Sequence, residues 1–271
     1  VLVPSLINPP NILDLDGETS LADALTASGR VLLVDWGPAP ERGSLDLGEH
    51  VTEVLVPLLH SLGEATALVG YCLGGTLALA TPALAKVRCV VTLASPWHFS
   101  SYAPEARRAL HSLWEQARSG AEPLGVLPTE VLQAAFWSLD PARVVAKFAR
   151  LAELTPSSVE VGRFIRLEDW ANSGEPLPLP AAREMVEDLF VRDFPGRGEW
   201  RVGGRRVDLP RVPTLHFTAS ADLIVPDGSA APGADVRACP AGHVGMVVGR
   251  SAGHNLHAPL TEWLARTGSH R

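Results

Sequence analysis

Gly70-Tyr71-Cys72-Leu73-Gly74-Gly75 follows the apolar run Ala65-Thr66-Ala67-Leu68-Val69 and leads into Thr76-Leu77-Ala78-Leu79-Ala80. The first run reads as a buried strand and the last as a helix. A strand that turns sharply into a helix crowds two backbones at the corner, so small residues are needed on both sides of the tip. Gly70 and Gly74 supply them, and Cys72 occupies the tip. A turn of this kind lifts the tip side chain above the end of the sheet, at the N-terminus of the next helix. The partial positive charge there favours a thiolate, the form of cysteine that attacks. Cys72 is the candidate nucleophile; the plainer reading is a buried cysteine in a Gly-rich turn.

A cysteine nucleophile needs a base, and the base needs an orienting group. Pro213-Thr214-Leu215-His216-Phe217-Thr218-Ala219 reads as a late strand, followed by Ser220-Ala221-Asp222-Leu223-Ile224-Val225-Pro226. A further short strand, Ala234 to Cys239, precedes Pro240-Ala241-Gly242-His243-Val244-Gly245. Taken singly, Asp222 reads equally as a turn or capping residue and His243 as a structural loop histidine. Taken together they give the order Cys72…Asp222…His243, which matches the Ser…Asp…His order of α/β-hydrolases and differs from the papain-like, chymotrypsin and subtilisin orders. Asp227 is the nearby alternative carboxylate, ranked lower because it lies past Pro226 at the start of a Gly/Ser-rich loop.

The layout predicts an α/β-hydrolase fold, a mostly parallel sheet flanked by helices with an inserted helical cap. Arg30 to Asp35 is expected as a strand and Val87 to Ala94 as another. Val51, Val54, Leu55, Leu58, Leu59 and Leu62 recur at helical spacing, with Pro57 expected to kink that helix or shift its start. From about Ser100 to Pro195 the alternation stops. Helical patterns cover Ala106 to Arg118, Thr129 to Trp137, Pro141 to Ala152 and Ala181 to Phe190, and Gly174 to Pro180 reads as a loop. The division is therefore 1–99 and 196–271 for the core and 100–195 for the cap, expected to lie over Cys72. Trp114, Trp137, Trp170 and many arginines fall in the cap. They read either as the core and surface of an amphipathic layer or as a gated acyl tunnel with arginines for phosphates. Gly203-Gly204 between Val202 and Arg205-Arg206 reads as a hairpin turn.

With 271 residues, 46% of them hydrophobic, the chain can build a sizeable core without disulfides. A net charge of -7 gives no general nucleic-acid footprint. Cys89 sits in an apolar run and reads as core, while Cys239 ends a strand near His243. A free catalytic thiol fits a reducing cytoplasm. No apolar run is long enough to span a bilayer. His254, His257 and His270 lack ligand spacing, His254 and His257 read as surface or capping residues before the last helix, and no metal site is expected.

The ordered motifs resemble the polyhydroxyalkanoate synthases, cysteine-based relatives of the α/β-hydrolases that polymerise hydroxyacyl-CoA thioesters. Val3-Pro4-Ser5-Leu6-Ile7-Asn8, Ile12-Leu13-Asp14-Leu15 and Ser20-Leu21 look like the family's N-terminal strand and the segment after it, and Val34-Asp35-Trp36-Gly37 looks like its next strand end. Gly70 to Gly75 looks like its nucleophile box. Val202 to Leu209, Asp222-x-Ile224-Val225-Pro226 and Gly242-His243-x-Gly245 complete the series. The resemblance implies Cys72 as nucleophile, His243 as base and Asp222 as orienter. The fold implies backbone oxyanion donors at Leu73 and near Asn8. The resemblance also implies an acyl-CoA substrate with no separate cofactor, a polyester product, a homodimer or a partner synthase subunit, and a cytoplasmic location at the surface of polyester granules. Leu223 stands where the family commonly has His, Pro96-Trp97-His98-Phe99 replaces an acidic residue before Phe, and the segment from the acid to His243 is short. The chain starts at Val1 without Met, and the resemblance implies further residues before it. Two alternatives stay open: a Cys-dependent hydrolase of acyl esters or thioesters, and a non-catalytic granule-associated protein.

Overall fold

In chain order the strands are β1 (Leu2–Val3), β2 (Thr66–Tyr71), β3 (Val87–Leu93), β4 (Val126–Leu127), β5 (Leu177–Pro178), β6 (Arg201–Val202), β7 (Arg205–Arg206), β8 (Thr214–Ala219) and β9 (Asp235–Cys239). The computed structural model describes residues 1–139, 141–208, 211–233 and 235–268. Ala234, Leu209 and His270 therefore lie outside the described residues. The central sheet has the order β1-β2-β3-β8-β9, and every pairing in it is parallel.

Parallel pairing follows from the helical crossovers, which bring each strand back in the same direction. The helix Leu73–Ala80 makes the crossover from β2 to β3. Tyr71 lies opposite Leu93, Leu93 opposite Phe217, and Ala219 opposite Cys239. The loops after β2, β8 and β9 consequently leave the sheet along one carboxyl edge, where α/β folds place their ligands.

The inner strands β2, β3 and β8 are largely buried on both faces, with alternate residues feeding different clusters. Leu68 and Val90 pack with Leu47, Val51, Leu55 and Leu77 on one side. Val69, Val91 and Phe217 pack with Leu13, Leu21, Leu256 and Leu260 on the other. Cys89 is fully buried in the second cluster, as the sequence predicts. Each such aliphatic side chain contributes roughly 1.5–3 kcal/mol relative to exposure.

Several expectations need correction. Arg30 to Asp35 forms no strand. It makes one parallel bridge, Leu2 to Leu33, with bonds from Leu2 N to Leu32 O (2.7 Å) and from Val34 N to Leu2 O (3.0 Å). Its partner β1 is only two residues long and offers no further ladder. The helix around Pro57 is continuous from Leu47 to Leu62, but its middle, His50–Leu55, is π-helical. The wider turn, closed by Val56 N to Val51 O, accommodates the proline's missing N–H one residue later.

Segment 100–195 contains the helices Pro104–Ala121, Thr129–Leu139, Pro141–Ala152, Val159–Asn172 and Leu179–Arg183, continued by the π-helical Glu184–Val191. Val159–Asn172 is a helix the sequence reading lacks. Within the expected loop 174–180, Leu177 and Pro178 pair with β4 as a short antiparallel strand. Gly203 and Gly204, both at positive φ, form the two-residue turn joining β6 and β7, the twist such hairpins need. His257, expected at the surface, is buried, with Nε2 paired to the Val247 carbonyl at 3.0 Å; His254 is exposed. No described helix is long and apolar enough to cross a membrane.

Candidate active site

Cys72 sits between β2 and the helix Leu73–Ala80 with φ 53° and ψ -130°. A non-glycine residue in this region costs on the order of 1–3 kcal/mol and persists only where its surroundings fix it. Here the Cys72 N–H donates to Leu93 O (2.9 Å) and the Gly75 N–H donates to Cys72 O (2.9 Å). The three glycines are sterically required. A Cβ on Gly70 would lie 2.7 Å from Gly74 O, and one on Gly75 would lie 2.5 Å from the Ser95 Cβ. One on Gly74 would run into the carbonyls of Val3 and Pro4. The turn is therefore held by β1 beneath it and β3 beside it, and Cys72 is left half-buried at its tip.

The acid and the base come from the next two loops on the same edge. Asp222 Oδ1 accepts from Ile224 N (2.7 Å) and Val225 N (3.0 Å), closing a tight turn after β8. Its Oδ2 meets His243 Nδ1 at 2.7 Å. The Asp222 side chain is fully buried and that of His243 nearly so. The two loops are laced together by Ser220 N to Cys239 O (2.9 Å) and Ala221 N to Ala241 O (3.0 Å). Tyr71 supports the imidazole from the side of the turn, with ring centroids 5.1 Å apart and its hydroxyl on the His243 carbonyl at 3.4 Å.

With Nδ1 engaged by Asp222, Nε2 is the nitrogen free to serve Cys72. Burial is the largest single influence on His243 and opposes its charge. The negative charge of Cys72, the hydrogen bonds of Asp222 and Cys72, and the charge of Asp222 outweigh it and push the pKa up to about 10. The site therefore favours an imidazolium, the counter-ion a thiolate nucleophile requires.

Among the other sequence candidates, Leu73 is the first residue of its helix and is buried, so its N–H has no acceptor within the helix. Asn8 is half-buried on the loop after β1, with its side-chain amide donating to Ala171 O (3.3 Å). Asp227 is exposed; it is Asp222 that meets the ring. Cys239 is buried against Asn255 O (3.3 Å), and burial pushes its thiol up to about 11, which makes it a poor nucleophile. Arg107 is spent on the carbonyls of Phe190 and Val191, and Arg163, Arg166 and Arg192 on carboxylates. Trp114 and Trp170 are buried, whereas Trp137 is exposed. No group of three or more metal-ligating side chains gathers among the described residues.

Sequence reasoning missed Asp193, a buried carboxylate at positive φ. It accepts from Phe99 N (2.8 Å), Ser100 N (3.0 Å) and Gly196 N (3.2 Å). It thereby fastens the point where the chain enters segment 100–195 to the point where it returns. Its only local signal is the Asp-Phe-Pro-Gly turn composition.

No family model matches the chain. It is 27% identical to the poly(3-hydroxyalkanoate) polymerase subunit PhaC of Haloferax mediterranei, over 98% of this chain and 58% of that protein. It is 29% identical to the subunit of the same name from Allochromatium vinosum, over 97% of this chain and 79% of that one. The chain thus spans little more than half the length of the first of these relatives. Among solved structures it resembles a monoacylglycerol lipase from Paleococcus ferrophilus (TM-score 0.58, 17% identity, 98% of this chain and 93% of that one). It also resembles a thermophilic esterase from Thermogutta terrifontis (TM-score 0.59, 15% identity, 98% and 89%). These likenesses establish the α/β-hydrolase fold, and the fold alone does not assign a reaction.

Proposed function

We propose that this chain, an α/β-hydrolase fold similar along nearly its whole length to poly(3-hydroxyalkanoate) polymerase subunits, is an acyltransferase that builds polyester from 3-hydroxyacyl-CoA through a thioester on Cys72. The observation that carries the reading is a thiol at the tip of a strained, glycine-packed turn whose neighbouring loops hold an Asp222–His243 pair.

In the first half-reaction His243 Nε2 takes the Cys72 proton and the sulfur attacks the thioester carbonyl. The Leu73 N–H, with a second backbone donor near Asn8, meets the oxyanion. Collapse of the tetrahedral adduct expels the CoA thiolate, which receives the proton from His243. In the second half-reaction the hydroxyl of another hydroxyacyl unit gives its proton to His243 and attacks the acyl-cysteine, and the sulfur leaves. Exchange between two thioesters is close to thermoneutral, so a sulfur nucleophile suits loading from CoA. Segment 100–195 serves as the cap that excludes water from the acyl-enzyme. In this reading the partners are acyl-CoA, the growing polyester and either a second copy or a partner synthase subunit. The place of work is the cytoplasmic surface of a polyester granule.

Incubation with 3-hydroxybutyryl-CoA, following CoA release and product together, tests the reading. CoA release with polymer or oligomer supports it. CoA release with free 3-hydroxybutyrate as the main product assigns a thioesterase instead, and no CoA release by the protein contradicts catalysis on this substrate.

A further inference from the structure

Behind the turn that holds Asp222 lies a cavity of about 10 Å³, the room one water molecule needs. Thr92 on β3 and His216 and Thr218 on β8 line it from the sheet, and Ser95, Val225, Pro226 and Ser229 from the loops that follow. Thr92 and His216 are partners in the parallel register, and Thr218 lies two residues on, so the three share one face of the sheet. The loop residues reach both halves of the candidate site. Val225 N donates to Asp222 Oδ1 (3.0 Å). Ser95 Oγ donates to Gly70 O (3.3 Å) and Leu93 O (3.1 Å), beside the turn that carries Cys72. Ser229 Oγ donates to Pro226 O (2.7 Å), and Ser229 O accepts the Trp97 and His98 amides (2.6 and 2.9 Å).

His216 is the group in this lining that the protein leaves unsatisfied. The residue is 1% exposed, and its Nδ1 is paired with Thr92 Oγ1. Nε2 is buried and has no hydrogen-bond partner among the described residues. Burial pushes the ring down to about 4, so it is neutral, with a proton on one nitrogen and a lone pair on the other. Whichever tautomer Thr92 selects, Nε2 needs a partner, and an unpaired buried nitrogen costs stability. An apolar side chain would fill the same strand position without that cost. Water suits either tautomer, because it donates as readily as it accepts. The hydroxyls of Thr218, Ser95 and Ser229 keep lone pairs for its remaining bonds.

Resting on the acyl-Cys72 reading for its kinetic consequence, we propose that this cavity is a water-binding site built on His216 Nε2, and that the bound water ties the sheet to loop 225–229 and makes His216 a positioning residue for Asp222. Asp222 takes both its Oδ1 bonds from the Ile224 and Val225 amides, so a loop that shifts carries the carboxylate with it. A bridging water holds such a loop nearly as well as a direct hydrogen bond. Displacing Asp222 turns the imidazole away from Cys72, and small misplacements of this kind are costly in rate.

His216→Gln and His216→Met separate the water from the packing. Both lose the Thr92 bond and fill a similar volume, but only glutamine returns a polar atom to the place of Nε2. A high-resolution crystal structure of the parent should show one water within hydrogen-bond distance of Nε2, kept in His216→Gln and missing from His216→Met. In CoA release from 3-hydroxybutyryl-CoA, kcat of His216→Met should lie about tenfold below that of His216→Gln, the size of one hydrogen bond, with KM little changed. A dry cavity in the parent overturns the site without recourse to any variant. Equal kcat in the two folded variants, with a difference confined to melting temperature, would show a merely structural histidine and overturn the positioning role. CoA release that persists in Cys72→Ala would remove the acyl-cysteine reading, while the water at Nε2 would still stand or fall on the electron density.

Discussion

Asp222→Asn changes one atom of a fully buried side chain and should remove most of the turnover. In the parent, Oδ1 satisfies the Ile224 and Val225 amides at 2.7 and 3.0 Å while Oδ2 faces His243 Nδ1 at 2.7 Å. The asparagine carbonyl must keep the two amides, since turning its NH2 toward them would set donor against donor. The NH2 therefore faces Nδ1, which becomes an acceptor, and the ring proton moves to Nε2. An Nε2–H cannot take the Cys72 proton. The carboxylate charge that helps hold His243 up near 10 is lost as well. Losing a positioned general base lowers the rate by about 10²–10⁴-fold, or roughly 3–5 kcal/mol in the barrier. The stability change should be smaller, about 1.5–3 kcal/mol for one charge-assisted hydrogen bond. CoA release from 3-hydroxybutyryl-CoA and thermal unfolding measured on the same preparation separate the two effects. Turnover within about threefold of the parent, in a folded variant, would refute the assignment of Asp222.

Further outcomes follow from the packing and the buried histidines. Gly75→Ala places a methyl against Ser95 and should distort the turn, abolishing thiol-dependent turnover and lowering the melting temperature; unchanged activity would show that the turn tolerates a side chain there. Cys89→Ala should keep full activity and lose about 1 kcal/mol in denaturant unfolding, because it removes one small core side chain. Burial pushes His216 down to about 4, so the unfolded chain takes up its proton near 6.5 while the folded chain resists until about 4. That contribution is complete above pH 6.5 and is lost as pH falls toward 4. Glu184, pushed up to about 7 by burial, acts in the opposite direction over an overlapping range. Both proteins share Glu184, so the difference in melting temperature between the parent and His216→Gln isolates the histidine. That difference should narrow between pH 6.5 and 4, and a constant gap would contradict a neutral buried His216.

The placement of the candidate site was legible because each member announces itself within a few residues. Glycines around Cys72, an acid just after a strand, and a Gly-flanked histidine after the next strand are local signals. The strands behind them were legible as apolar runs, and the glycine pair at 203–204 gave the hairpin. What escaped depends on distant contacts or on competing local preferences. Arg30 to Asp35 has a strand's composition, but its partner β1 offers two residues. Val159–Asn172 carries Gly162 and scattered charges, and it is held by tertiary bonds such as Trp170 Nε1 to Pro9 O (2.8 Å) and Arg163 to Glu18 (2.7 Å). His257 looked like a surface residue until the Val247 carbonyl supplied its partner. Asp193 takes its partners from Phe99 and Ser100, 94 and 93 residues away, which no local pattern encodes.

The acyl-cysteine itself is the most direct test of the account. The protein is mixed with 3-hydroxybutyryl-CoA, quenched in acid within the first turnovers, digested, and mapped by mass spectrometry. The account predicts a 3-hydroxybutyryl adduct, or short oligomers of it, on the peptide containing Cys72, labile to hydroxylamine and missing from Cys72→Ala. CoA release with no adduct on Cys72, or with the acyl group on Cys89, Cys239 or a hydroxyl side chain, would contradict it.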